Sequence, residues 1–197
     1  MIKLKDISPN ILTVIRIAII PMVVVLLFIN TELSRWIALG LYFVACVTDF
    51  FDGYIARTTG QTSALGRFLD PVADKLLVAT IIITLVALGA EKDGLSAINA
   101  IAGIIIVLRE ITVSGLREYL AEIKISVPVS GLAKWKTAFQ MFSLGFLIVG
   151  EKASPKLIPS GDIGVLLLWV SAILTIITAH DYLRSGVHHM LEDDRKE

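Results

Sequence analysis

Apolar residues fall into six long stretches along this chain of 197 residues: 11–29, 36–56, 71–90, 97–118, 131–150 and 163–183. A bilayer's hydrocarbon layer is about 30 Å thick and takes about 20 mostly apolar helical residues to cross. Each stretch meets that length. Short polar breaks at 30–35, 58–69, 91–94, 120–130 and 151–162 separate them, the last with Pro155, Pro159 and Gly161 as turn formers. Residues 1–9 are expected to form a short interfacial helix with Ile2, Leu4 and Ile7 toward lipid, broken from the first span at Pro9. Asp70 before Pro71 reads as the start of the third span, because proline suits a helix's first turn. The pattern predicts an all-α integral membrane domain over residues 1–197. It is a bundle of six transmembrane helices with a short N-terminal interfacial helix.

Composition agrees. The apolar fraction is 55% and the mean hydropathy +0.78, above ordinary soluble proteins. Lys+Arg and Asp+Glu are both 18, which argues against nucleic acid as a partner. The single cysteine, Cys46, excludes an internal disulfide and a cysteine metal site, and reads as a small packing residue. The first apolar run lacks a small-residue cleavage site and is expected to remain as a helix.

Six spans put both termini on one side. Loops on that side hold Lys3, Lys5, Arg57, Arg67, Lys124, Arg184, Arg195 and Lys196, against Arg35, Lys92, Lys152 and Lys156 opposite. Arg16, Lys75, Arg109, Arg117, Lys134 and Lys136 lie within spans, in the halves nearest the termini. Basic loops stay in the cytoplasm. The expected location is therefore the cell (inner) membrane, with both termini cytoplasmic.

Residues 49–74 break the apolar pattern with Asp49, Asp52, Asp70 and Asp74. A carboxylate at membrane depth is costly and marks function. Asp49 and Asp52 are three apart and Asp70 and Asp74 four apart, so each pair shares a helix face. A short loop makes the two helices antiparallel neighbours, which brings the pairs to the same membrane surface. Together the four need protons or cations. Oxygen donors without His or Cys select a hard cation, Mg²⁺ or Mn²⁺, and four carboxylates balance two such ions. A metal pair is a common clamp for displacement at phosphorus. Gly53 and Gly66 allow close approach of a ligand to the backbone, and the Arg57 fork suits a phosphate oxygen. Helix capping alone accounts for Asp70 but not for Asp49 and Asp52.

The spacing D-x2-D-G-x2-A-R-x8-G-x3-D-x3-D, over Asp49, Asp52, Gly53, Ala56, Arg57, Gly66, Asp70 and Asp74, resembles the signature of the CDP-alcohol phosphotransferase family at every fixed position. The resemblance implies six transmembrane helices, a homodimer, and a metal-dependent site at the cytoplasmic interface. It implies transfer of a phosphatidyl or related group from a CDP-linked donor to an alcohol, with release of CMP. By resemblance Asp49, Asp52 and Asp70 hold the metals, and Asp74 is both a metal-side residue and the general base. Gly53, Arg57 and Ser63 contact the CDP part. Asn10, Thr13 and Arg16 match an N-x2-T-x2-R start that lies near the nucleotide of CDP-diacylglycerol.

Four further cations bear on the acceptor. Arg109 and Arg117 lie eight apart on the fourth span, and Lys134 and Lys136 begin the fifth. Cations facing a bundle interior mark a ligand path, and phosphate favours Arg and Lys. Their bland alternative is snorkelling toward headgroups. Residues 109–118 and 134–140 are similar to the bacterial branch of the family that uses glycerol 3-phosphate, with Ala133 where a glycine is common. That likeness implies that Arg109, Arg117, Lys134 and Lys136 bind its phosphate. Inositol phosphate and serine are alternative acceptors. An intramembrane prenyltransferase, which leaves the Gly53 and Arg57 offsets unexplained, and an ion transporter are rivals outside the family.

Overall fold

In the computed structural model of the protein, the described residues are 9–59, 64–123 and 131–193. Side chains are described from residue 13 onward, except 50–59, 64–68, 122, 181 and 184–193. The described residues form six α-helices: α1 Pro9–Ile29, α2 Glu32–Thr59, α3 Ala64–Leu88, α4 Ala97–Glu122, α5 Gly131–Val149 and α6 Ser160–Asp193. A 3₁₀ turn, Ala90–Lys92, follows α3. The expected interfacial helix at 1–9 lies almost entirely outside the described residues.

The helices cover the predicted apolar stretches, with two corrections. The sixth runs on to Asp193, ten residues past the expected 183. The third begins at Ala64, not at Pro71, and Pro71 lies inside it. Proline removes one helical hydrogen bond, that to the carbonyl four residues earlier. Buried membrane helices tolerate this where neighbouring groups compensate. The break expected at 58–69 thereby shrinks, as α2 also runs on to Thr59.

Among the described residues three segments are long and apolar enough to cross a membrane: Leu69–Leu88, Ala97–Ala121 and Ser160–His180. Thr13–Ile29 is a shorter apolar helix. α2 and α5 are diluted by the charges Glu32, Arg35, Asp49, Asp52 and Arg57, and by Lys134 and Lys136. Large apolar side chains such as Phe43, Ile83, Ile98, Leu108 and Phe142 are exposed around the bundle, as lipid-facing positions of a membrane protein are.

Local sequence sets the helix ends. The Ser96 side chain accepts the Asn99 N–H at the start of α4, a standard N-cap bond. At the start of α2, Thr31 N–H donates to Ser34 Oγ at 2.9 Å and Ser34 N–H donates to Thr31 Oγ1 at 3.1 Å. This reciprocal pattern satisfies two otherwise orphaned donors.

α5 packs along α6, α1 lies against α2 and α3, and α4 contacts α6 and α3. Val23, Leu27, Ala38, Leu85, Ile106, Leu144, Ile148 and Leu168 are fully enclosed at the centre. Small residues bring backbones close, as in other membrane bundles. A Cβ added at Gly164 of α6 would stand 2.7 Å from Leu147 Cγ of α5, so only glycine fits that crossing. Ser143 Oγ donates to the Gly164 carbonyl at 2.8 Å, and Tyr42 Oη to the Met141 carbonyl at 3.1 Å.

The end of the bundle with Asn30, Gly94 and Gly150 is closed by one buried arginine. Arg35 Nε donates to Asn30 Oδ1 at 2.9 Å. Its Nη1 donates to the Leu147 and Ile148 carbonyls, each at 3.2 Å, and its Nη2 to the Lys92 and Asp93 carbonyls at 3.0 and 3.1 Å. Asp93 Oδ2 in turn accepts the Lys152 N–H at 2.7 Å. One guanidinium thus ties the α1–α2 and α3–α4 connections to the last turn of α5, and Asp93 extends the tie to the α5–α6 connection. Tying them leaves the opposite end, where the carboxylates lie, free of that structural duty.

Candidate active site

The carboxylate end is assembled by three helices. Thr13 and Arg16 are three apart on α1 and share a face, and both are fully buried. Arg16 Nη1 lies 2.6 Å from Asp49 Oδ1 of α2. Thr13 Oγ1 donates to Asp70 Oδ1 of α3. One face of α1 therefore touches both acidic helices, consistent with its packing between them. Asp74, one turn beyond Asp70, is exposed and interacts electrostatically with Asp49, Glu110, Lys75 and Arg16. The Arg16–Asp49 pair joins an enclosed guanidinium to a half-exposed carboxylate, a charge-assisted contact.

Several predicted residues lie on these helices but with side chains outside the described residues. Asn10 is in α1, Asp52, Gly53 and Arg57 are in α2, and Gly66 is in α3. Ser63 lies outside the described residues altogether. Among the described residues no group of three His, Cys, Asp or Glu side chains is arranged to hold a metal ion. The donor chemistry of Asp49, Asp70 and Asp74 is oxygen only, which suits a hard divalent cation.

The basic set divides. Lys136 is buried on α5 and its ammonium contacts Glu110 Oε1 of α4. Arg109 Nη1 lies 3.4 Å from the same Glu110 oxygen, and its Nη2 donates to Thr178 Oγ1 of α6 at 3.2 Å. Lys136 also interacts electrostatically with Asp74, so this cluster adjoins the carboxylates. Arg117 is exposed, with its guanidinium 5.6 Å above the Tyr182 ring. Lys134 is exposed too. Two residues along a helix are about 200° apart, which sends Lys134 and Lys136 in opposing directions. On the expectation that these cations bind an anionic acceptor, Lys136→Ala raises the acceptor KM at least about tenfold, and Lys134→Ala several-fold less. Initial rates at varied acceptor check this; equal effects would contradict the division.

Glu110 and Thr178 were not foreseen. The signal for Glu110 was present: it is an acid inside an apolar stretch beside Arg109, and carries the same burial cost as the arginine. Nothing local marks Thr178.

A cavity of about 990 Å³ opens between α2 and α5, lined by apolar residues including Tyr42, Phe43, Cys46, Val47, Met141 and Phe142. Cys46 precedes Asp49 by three residues, so the cavity reaches to within one turn of the carboxylates.

The CDP-alcohol phosphatidyltransferase pattern matches residues 6–177, which covers all of the residues just described except Thr178 and Tyr182. The chain belongs to the CDP-alcohol phosphatidyltransferase family. Among its relatives, the CDP-diacylglycerol–glycerol-3-phosphate 3-phosphatidyltransferase of Rickettsia bellii is 45% identical over 183 residues, covering 93% of this chain and 97% of that one. The protein of the same name from Rickettsia typhi is 46% identical, over 90% of this chain and 95% of its own. A plant relative, CDP-diacylglycerol–glycerol-3-phosphate 3-phosphatidyltransferase 2 of Arabidopsis thaliana, is 39% identical over 89% of this chain and 78% of its own. In this chain α2 and α3 carry the acidic set, with α1 packed against both, and α4 and α5 carry the basic set, with Thr178 of α6 against Arg109.

Proposed function

We propose that the protein transfers the phosphatidyl group of CDP-diacylglycerol to glycerol 3-phosphate, giving phosphatidylglycerol phosphate and CMP. The observation that carries this reading is the near full-length identity to proteins named for that reaction. The paired cations beside Asp74 suit an anionic acceptor and so favour glycerol 3-phosphate over serine.

The chain acts as one domain with six membrane spans, as a homodimer, with its termini and acidic end in the cytoplasm of the cell membrane. The donor keeps its acyl chains in apolar surroundings, for which the cavity between α2 and α5 is suited in chemistry and position. Its CDP part lies against Gly53, Arg57, Ser63 and Gly66, with Asn10, Thr13 and Arg16 of α1 behind it. Asp49, Asp52, Asp70 and Asp74 would hold divalent cations, Mg²⁺ or Mn²⁺, two by charge balance. Such ions supply charge neutralisation for the pyrophosphate and for departing CMP.

The chain's own residues do the rest. Arg109 and Lys136 hold the acceptor phosphate, with Arg117 and Lys134 at the rim. That anchoring aims a glycerol hydroxyl at the phosphorus bearing the diacylglycerol. Asp74 accepts the hydroxyl proton as the new P–O bond forms and the bond to CMP breaks. Holding both substrates in line accounts for much of the rate.

The test is an acceptor panel. Purified protein with labelled CDP-diacylglycerol is offered glycerol 3-phosphate, inositol phosphate, serine or inositol, with and without EDTA. CMP release should occur with glycerol 3-phosphate, vanish on chelation, and return with Mg²⁺ or Mn²⁺. Preference for another acceptor would reassign the substrate. CMP release that survives chelation would remove the metal role.

A further inference from the structure

We propose that Glu110 is a positioning residue for the acceptor site: its carboxylate fixes the Lys136 ammonium and the Arg109 guanidinium so that their remaining donors face the acceptor phosphate. This role rests on the assignment of Arg109 and Lys136 to that phosphate.

The three groups come from two helices and are largely shut off from solvent. The side chains of Lys136, Arg109 and Glu110 are 5%, 12% and 19% exposed. An ammonium so enclosed keeps neither charge nor place without an anionic partner. Glu110 is that partner, in direct contact across the α4–α5 boundary. The same carboxylate oxygen reaches Arg109, whose other side is held by Thr178 of α6. One carboxylate thus sets the relative placement of two cations on different helices, and α6 braces the pair.

The cations are not used up by this arrangement. Lysine has three N–H donors and arginine five. Arg109 Nε is buried and has no hydrogen-bond partner among the described residues, so a donor in this cluster awaits an acceptor. A carboxylate in a phosphate pocket would by itself repel the ligand. Paired with Lys136 it is neutralised, and Arg109 is left as the net charge. Glu110 and Lys136 both interact electrostatically with Asp74. A shift of either would therefore displace the acceptor relative to the group that takes its proton.

The contrasting role for Glu110 is that of an occupant, a carboxylate lying where the phosphate must go. The two roles predict opposite signs. As a positioning residue, Glu110→Gln raises the KM for glycerol 3-phosphate about tenfold, the lower end of what loss of a ligand-orienting partner costs. The turnover number falls as well, because the acceptor hydroxyl shifts relative to Asp74, while the KM for CDP-diacylglycerol stays within about threefold. As an occupant, its removal lowers the acceptor KM.

A double-mutant cycle separates positioning from general packing. In a Lys136→Met background, Glu110→Gln should raise the acceptor KM distinctly less than it does alone, by about threefold or under, because one of the two cations it positions is gone and only Arg109 remains. Equal effects in both backgrounds, or a lowered acceptor KM, would overturn the proposal. If Glu110→Gln does not yield a monodisperse protein in detergent, Glu110→Asp retracts the carboxylate by one methylene and should give the same split. Failure of both to fold would make Glu110 a packing residue and also overturn it. Wild-type protein that releases no CMP with glycerol 3-phosphate defeats the functional reading. Wild-type activity with an additive cycle defeats only the role of Glu110.

Discussion

Asp74→Asn lowers CMP release from CDP-diacylglycerol by at least about 10³-fold, within the range for loss of a general base, while donor binding persists. Asp49 is engaged by the Arg16 guanidinium and Asp70 by the Thr13 hydroxyl. Asp74 is exposed on α3, on the side from which the Arg109–Lys136 cluster acts on it through Glu110 and Lys136. Of the three described carboxylates it is the one that interacts with both Glu110 and Lys136. Asparagine keeps its size and cannot take a proton. Exposed positions tolerate such a change within about 0.5 kcal/mol, so thermal unfolding in detergent should barely move. Donor binding is read by retention on CDP-diacylglycerol vesicles. Near wild-type turnover in the Asp74→Asn variant would move the base to another residue.

Arg35→Ala destabilises the fold by about 3 kcal/mol or more, since buried acceptors left without a donor each cost about 1–3 kcal/mol. The arginine serves Asn30 Oδ1 and four backbone carbonyls, two on the α3–α4 connection and two in the last turn of α5. For a chain of this size that loss lowers the thermal midpoint by roughly 6–12 °C. Gly150→Ala should act on the same clasp by another route. Gly150 has φ +60°, and a Cβ there would lie 2.4 Å from Asp93 Oδ2 and 2.7 Å from Arg35 Nη1. Backbone strain and displacement of the guanidinium then add. Activity per folded molecule should persist in both variants, because the clasp is at the end of the bundle away from Asp49. An unchanged midpoint for Arg35→Ala would show that water replaces the guanidinium without loss.

The positions of the helices were legible because apolar length is a local property. About 20 residues without charge declare themselves whatever they pack against. Pro71 misled for a local reason as well. Proline is favoured in a first turn, yet α3 passes through it and begins at Ala64. Arg35 looked like a loop charge from its place in a polar break, and is instead fully buried. The acidic signature was legible from spacing alone, since helical period decides which carboxylates share a face. Lys134 and Lys136 were read together, although the same period turns them apart and only Lys136 is buried.

By itself the sequence determined the all-α membrane character, the helix order, the helices that carry acid, and the family. Those follow from hydropathy and period, which depend on neighbours a few residues away. Tertiary structure alone decided that Arg16 meets Asp49, that Thr13 meets Asp70, and that Glu110 joins Lys136 to Arg109. Each of these joins two elements or orients a side chain between them. Such pairings depend on how helices cross and rotate in the packed bundle, and that is fixed by the interlocking of side chains from many parts of the chain at once.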